Sequence, residues 1–287
     1  MRVPIWLPLR RGSDAISPTA HYTGHVWGRH GLSHPRLATL EGRLLFDALT
    51  PATIASRALG GPTLEGMLLA RHRVIDRLLT DAIAGGRVSQ VIEIGCGMSP
   101  RGWRFTQRHD EDLTYVEADL PDMAERKRRA LARMGAPPGR HRVADLDALR
   151  DSGPQSLAEL AATLDPQRGL AIVTEGLLSY FGDEEVLGMW RRFARALAGF
   201  SAGLYLADLH LDDEQRGLID RSFETVLGSF VGRRVHAHFD GEAAGVAALR
   251  AAGFADARLH RADRHAAAGD AARDPAARRV HIVEATA

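Results

Sequence analysis

A single cysteine, Cys96, stands in a chain of 287 residues, which excludes an internal disulfide framework and fits a reducing, cytoplasmic setting. A charge excess is missing too. The 37 Lys and Arg against 36 Asp and Glu leave a formal net charge of +1, so no strong field argues for nucleic acid or an acidic membrane as partner. Basic clusters such as residues 126–129 read as solvated helix faces. No apolar run approaches the ~20 residues a spanning helix requires. The opening residues carry only a short apolar run broken by Pro4 and Pro8, without a small-residue cleavage pattern, so no signal peptide is expected. What remains is ordinary globular composition, 45% hydrophobic and 25% charged, suited to one large α/β domain or a domain with a cap.

The chain is organised around residues 90–102. Val91, Ile92 and Ile94 form an apolar run that stops at Gly95 and Gly97, as a buried parallel strand does when it enters a tight turn whose backbone meets a ligand. A dinucleotide-binding turn needs a third small residue where a helix opens onto the pyrophosphate. Pro100 stands at that position, so the dinucleotide pattern fails. With Glu93 inside the strand, the turn instead looks like motif I of class I S-adenosylmethionine (SAM) methyltransferases. Cys96 reads as a small residue packed beneath a ligand, with no activating base beside it in sequence.

Residues 1–62 are irregular and rich in Gly, Pro, His and Thr, with short helices expected over 37–49 and 53–59. They read as a cap, in which the non-periodic stretch 16–27, holding His21, Tyr22 and Trp27, suits a pocket lid or a packed surface arm. Helical spacing runs from 63 to 83 and stops at Gly85 and Gly86. Arg71 and Arg73 lie near its middle, where an arginine either forks a carboxylate or faces water. A second strand over 113–118 leads to Asp119, placed to accept both hydroxyls of a ribose, with Glu117 the alternate. A helix follows over 122–134. A short strand over 141–144 ends at Asp145 and Leu146, an acceptor beside an apolar wall, as an adenine requires. A buried strand then ends in Glu175, and a helix opens after Gly182 with Val186, Trp190, Phe193 and Leu197 on one face. Residues 204–209 form a fifth strand leading to His210, and a helix is expected over 213–227. After a helix over 243–252, strands over 254–260 and 279–284 close the sheet as a hairpin across an Ala-rich loop expected to be mobile.

Four strand ends thus carry Gly95 to Gly97, Asp119, Asp145 with Leu146, and Glu175. Together with residues 115–121, Arg126 and Lys127, and residues 174–180, this series resembles the leucine carboxyl methyltransferase family, which includes protein phosphatase carboxyl methyltransferases and tetracenomycin-type polyketide O-methyltransferases. The resemblance spans about 64–197. It implies a Rossmann-like, seven-stranded class I SAM methyltransferase sheet with a C-terminal antiparallel hairpin and an N-terminal helical cap (1–62) before the SAM-binding domain (63–287). It also implies SAM as cofactor. Arg71 would meet the SAM carboxylate, Gly95 and Gly97 with Glu93 behind them the methionine portion, Asp119 the ribose, Asp145 and Leu146 the adenine, and Glu175 the amino group. Motif I departs from the family where Ser99 and Pro100 replace the more usual Asp and Thr.

The function expected is methyl transfer to a carboxylate or hydroxyl of a small molecule, with secondary metabolism as one setting. Methyl transfer from a sulfonium is an in-line displacement, which asks the protein to align groups in a dry pocket. A carboxylate acceptor needs no base. A hydroxyl does, and Tyr22, Tyr180, His210 and His21 are the candidates. Thirteen histidines bring no recognisable three-ligand spacing, so no metal is expected. Three rivals remain: a protein C-terminal carboxyl methyltransferase, a nicotinamide-dependent oxidoreductase, and a SAM-binding protein without turnover.

Overall fold

The computed structural model describes residues 18–109, 112–135, 140–212 and 236–287. The helix expected over 213–227 lies outside them. Seven strands form one sheet in the order β3-β2-β1-β4-β5-β7-β6. They are β1 (Gln90–Ile94), β2 (Thr114–Asp119), β3 (His141–Asp145), β4 (Leu170–Thr174), β5 (Gly203–Leu209), β6 (Asp256–Arg261) and β7 (His281–Thr286). β1 to β5 are parallel, whereas β7 runs antiparallel to both β5 and β6.

Each of β1, β4 and β5 is buried at every residue, because helices cover both faces of the sheet. On one face lie α3 (Leu64–Ala84) and α4 (Arg101–His109). There Leu68, Ile75, Leu79, Val91, Phe105, Tyr115 and Leu206 share one core with Tyr22 and Val26. On the other lie α6 (Leu157–Ala161), α7 (Asp183–Leu197) and α8 (Glu242–Ala251), whose core joins Val186, Trp190, Phe193 and Leu249 to Ile92, Ile172 and Tyr205. α5 (Pro121–Met134) connects β2 to β3, with proline at its first turn and Gly135 at its end, as the N-terminal Pro, C-terminal Gly asymmetry demands.

The N-terminal region departs from the sequence expectation. Residues 18–29 form a helix, α1 (Pro18–Arg29), and the two short helices expected afterwards are one, α2 (Leu40–Ala58), running through Pro51. Thr39 caps α2 by accepting the Gly42 amide at 3.1 Å. Around the proline, the hydroxyls of Thr50 and Thr53 donate to the carbonyls of Phe46 and Leu49 at 2.8 and 3.1 Å, adding hydrogen bonds where the ladder loses one. Packing supplies the rest, since Leu45, Phe46 and Leu49 lie against the core. The Ala-rich stretch between β6 and β7 likewise forms short 3-10 turns, with Ala262, Ala268, Ala276 and Ala277 fully buried. Alanine's small side chain lets these turns approach α3 closely, and Asp274 bridges to the Thr63 amide at 3.0 Å.

Candidate functional site

The order of the sheet reverses between β1 and β4, and in an open parallel sheet that reversal leaves a crevice at the carboxyl ends of the strands. The turn after β1 is held there by its neighbour. The amides of Gly95 and Cys96 donate to the Ala118 carbonyl at 2.8 and 3.2 Å, and Gly97 N–H donates to Asp119 Oδ2 at 2.8 Å. Asp119 Oδ1 accepts the Leu120 amide at 2.8 Å, while its carbonyl accepts the Leu146 amide at 2.8 Å. One aspartate therefore fastens the ends of β1, β2 and β3. Burial pushes its carboxyl above the ordinary value, against the pull of the Gly97 and Leu120 amides. Gly95 and Gly97 have φ of +68° and +49°, and a Cβ at Gly95 would stand 2.9 Å from Leu177 Cδ1, so the turn admits no larger residue there.

α1 lies directly over this turn. A Cβ at Gly97 would be 3.6 Å from Ala20 Cβ, and one at Gly24 would be 3.7 Å from Met98 Cβ. His21 links α1 to α5, its Nδ1 paired with Thr39 Oγ1 at 2.9 Å and its Nε2 next to Arg126 at 3.2 Å. Burial lowers its pKa, partly opposed by Glu41.

Beside the turn lies a buried ionic cluster that the sequence reading had only in part. Arg71 donates through Nε to Glu175 Oε1 at 3.1 Å and through Nη1 to Asp208 Oδ2 at 2.9 Å. Glu175 Oε2 also takes His72 Nδ1 at 2.9 Å and the guanidinium of Arg101. Arg101, fully buried, reaches Glu93 Oε1 at 2.6 Å and Asp76 Oδ1 at 2.7 Å, and Tyr115 OH donates to Glu93 Oε2 at 2.7 Å. Burial alone would raise the Glu175 carboxyl; His72, Arg101 and Arg71 hold it well below the usual range instead. Glu93 thus has both oxygens occupied inside the molecule. Glu117, the alternate to Asp119, is likewise enclosed, at 3.0 Å from both Lys127 and His141. Arg73 faces outward to Asp270 and the Ala268 carbonyl. At the end of β3, Leu146 is buried, while Asp145 is part-exposed and paired with Arg128.

The candidate bases other than His21 fall in different settings. Tyr22 is buried against Phe46, with ring centroids 5.7 Å apart, and burial pushes its phenol upward. Tyr180 closes the short 3-10 turn Leu178–Tyr180 that follows β4. His210 follows β5: its Nδ1 donates to the Arg279 carbonyl at 3.2 Å, and Nε2 lies 3.9 Å from Asp208 Oδ2. Burial lowers its pKa to about 4 despite Asp208. Both nitrogens of His238 are taken, by Asp183 at 2.6 Å and the Leu178 carbonyl at 3.2 Å.

His72, Asp76, Arg101 and Asp208 were not singled out from sequence. Asp208 was the one with a signal, a lone acid in the apolar run of β5, whereas α4 was not expected at all. A cavity of about 360 Å³ lies elsewhere, between α6 and α7, lined by residues including Leu157, Ala161, Arg192 and Phe200. None of the candidate residues lines it.

A family model described as leucine carboxyl methyltransferase matches residues 35–194. A protein of Mycolicibacterium gilvum (strain PYR-GCK), named as a candidate S-adenosyl-L-methionine-dependent methyltransferase, is 39% identical over 116 residues, 40% of this chain and 36% of that one. A Mycobacterium tuberculosis (strain ATCC 25177 / H37Ra) protein of the same name is 32% identical over 134 residues, 46% of this chain and 43% of its own length. The match therefore spans less than half of these relatives. Among solved structures, a DUF574 family protein from Streptomyces avermitilis aligns with a TM-score of 0.63 at 15% identity, over 93% of this chain and 96% of that one. A candidate methyltransferase from Thermobifida fusca YX aligns with a TM-score of 0.61 at 14% identity, over 99% and 98%. At these identities the likeness is one of fold, that of the class I methyltransferases.

Proposed function

The chain belongs to the leucine carboxyl methyltransferase family, and from that premise we propose that it is a SAM-dependent O-methyltransferase acting on a carboxylate or hydroxyl of a small molecule. The observation that carries the reading is the convergence of the Gly95–Gly97 turn, Asp119, Leu146 and Arg71 at the reversal of the sheet. This donor set fits the cofactor's parts. Each Asp119 oxygen spends one lone pair on a backbone amide and keeps capacity for a ribose hydroxyl. Leu146 offers an apolar wall and Asp145 an acceptor for adenine. Arg71 answers a carboxylate, and Glu175, whose Oε2 is filled by His72 and Arg101, answers an ammonium through the lone pair left on Oε1, while Gly95 and Gly97 let the backbone approach. Glu93 acts one step back, by fixing Arg101 against the turn. Bound SAM supplies an electrophilic methyl group on a sulfonium.

Residues 1–62 serve in this reading as the cap that closes over the cofactor, and residues 63–287 as the domain that binds it. If the acceptor is a hydroxyl, His210 is the base: with Nδ1–H committed to the Arg279 carbonyl, Nε2 carries the free lone pair, and the low pKa keeps the ring neutral at pH 7. Tyr180 stands beside Arg71 as a second polar group for the acceptor, and Tyr22 backs the lid. No helix among the described residues is long and apolar enough to cross a membrane.

The reading is tested by calorimetric titration with SAM, S-adenosylhomocysteine and NAD in parallel, followed by labelled-methyl transfer to panels of carboxylic acids and phenols. The expected result is saturable binding of the first two alone and transfer to one panel. Binding of NAD alone would overturn the cofactor. Tight SAM binding without transfer to any acceptor would leave a binding protein rather than an enzyme.

A further inference from the structure

Asp208 lies at the end of β5, its side chain almost entirely buried, and it joins β5 to α3 and to the turn after β4. Its Oδ2 accepts from Arg71 Nη1 on α3 at 2.9 Å, and its Oδ1 accepts the Gly176 amide, just past β4, at 2.6 Å. Gly176 has φ of +70°, and a Cβ there would stand 2.9 Å from Arg71 Nη2. The guanidinium therefore lies close over the Gly176 backbone.

Arg71 is only 7% exposed. Nε is spent on Glu175 and Nη1 on Asp208. Nη2 makes no hydrogen bond to any described residue, so a nearly buried cation presents one free edge beside Gly176. A guanidinium fixed at two nitrogens recognises an anion at the third without losing side-chain freedom on binding. Without Asp208, Glu175 would hold Arg71 only at Nε, and the Gly176 amide would lose its acceptor.

We propose that Asp208 is a positioning residue for the amino-acid end of the cofactor: it locks Arg71 and the Gly176 turn into one unit that aims Nη2 at a carboxylate. The proposal rests on the cofactor reading above and adds to it a residue that touches no ligand. Its signature is selective. The nucleoside half of the ligand is held at Asp119, Asp145 and Leu146, on other strand ends, so disturbing Asp208 changes recognition of the amino-acid half alone.

The experiment compares binding of S-adenosylhomocysteine with that of 5′-methylthioadenosine, which keeps the nucleoside and thioether but lacks the amino-acid portion. Calorimetry on the wild-type chain and on Asp208→Asn should give at least a tenfold loss of affinity for S-adenosylhomocysteine, with 5′-methylthioadenosine unchanged within about twofold. Gly176→Ala is the second variant; it leaves both charges in place but pushes a methyl group against Nη2, and should give the same split. A far-ultraviolet circular dichroism melt shows which variants are folded, and every folded variant must show the split. Equal losses for both ligands, or none, in a folded variant would overturn the positioning role. A wild-type chain that binds neither ligand overturns the cofactor reading itself, and the proposal with it.

Discussion

Asp119 and Arg101 show how differently two charges, one half-buried and one fully buried, are used. Asp119 has backbone amides on both oxygens and lies at the mouth of the crevice, so Asp119→Ala should weaken SAM binding by roughly 1 to 3 kcal/mol through loss of charge-assisted hydrogen bonds. Calorimetry checks this, and unchanged affinity would remove Asp119 from the site. Arg101 is buried among Asp76, Glu93 and Glu175. Its removal takes a shared cation away from three carboxylates, so Arg101→Ala should destabilise the fold by about 3 to 5 kcal/mol, read from the midpoint of denaturant unfolding. The difference in kind was not visible in the chain. Asp119 follows an apolar strand and is recognisable by position, whereas Arg101 follows Pro100 in a short, arginine-rich stretch whose only large apolar residues are Trp103 and Phe105, and nothing local says that it turns inward.

At the scale of elements, α1 and α7 make contrasting demands. α7 is a packing helix: Trp190 is fully buried, with Nε1 donating to Tyr205 OH at 3.3 Å, and that hydroxyl pairs with Thr174 Oγ1 at 2.9 Å. Trp190→Ala should cost about 3 to 5 kcal/mol of stability, measured by chemical denaturation, with little change in cofactor affinity. The periodicity of Val186, Trp190, Phe193 and Leu197 was legible because one face meets one sheet. α1 was not legible, because two different surfaces share its few turns. Tyr22 and Val26 enter the α3 core while Ala20 and Gly24 face the Gly97 turn, so polar and small residues interrupt any single apolar stripe. If α1 is the lid, hydrogen exchange of its amides should slow when S-adenosylhomocysteine binds; exchange that stays at the free-protein rate under saturation would rule that role out.

For the molecule as a whole, buried titrating groups make the fold acid-sensitive. Burial lowers His210 from its ordinary 6.5 to about 4. The unfolded chain therefore takes up a proton below pH 6.5 that the folded chain refuses, and stability falls as pH drops from 6.5 towards 4. Burial lowers His21 in the same direction. Glu175, held well below its ordinary value by His72, Arg101 and Arg71 despite burial, adds stability that is present above its unfolded value and is lost only at lower pH. Thermal melts across pH 4 to 7 should show a monotonic fall on acidification. His210→Asn should flatten the part between 6.5 and 4, by at most about 3 kcal/mol over the whole window; an unchanged slope would show that His210 is not buried neutral.

By itself the sequence determined the strands, their polarity and the glycine turn, because a buried parallel strand must be apolar on both faces and a left-handed turn must carry glycine, both of which are local requirements. It also marked the strand-end acids, which stand out against apolar runs. Only the tertiary structure decided how much of each acid's hydrogen-bonding capacity stays open to a ligand and how much is taken by arginines from distant segments. Arg71 and Asp208 are 137 positions apart, and Arg101 and Glu175 are 74 apart. Such pairings depend on the order of the sheet, which brings β1, β4 and β5 side by side, and no periodicity within a segment encodes them.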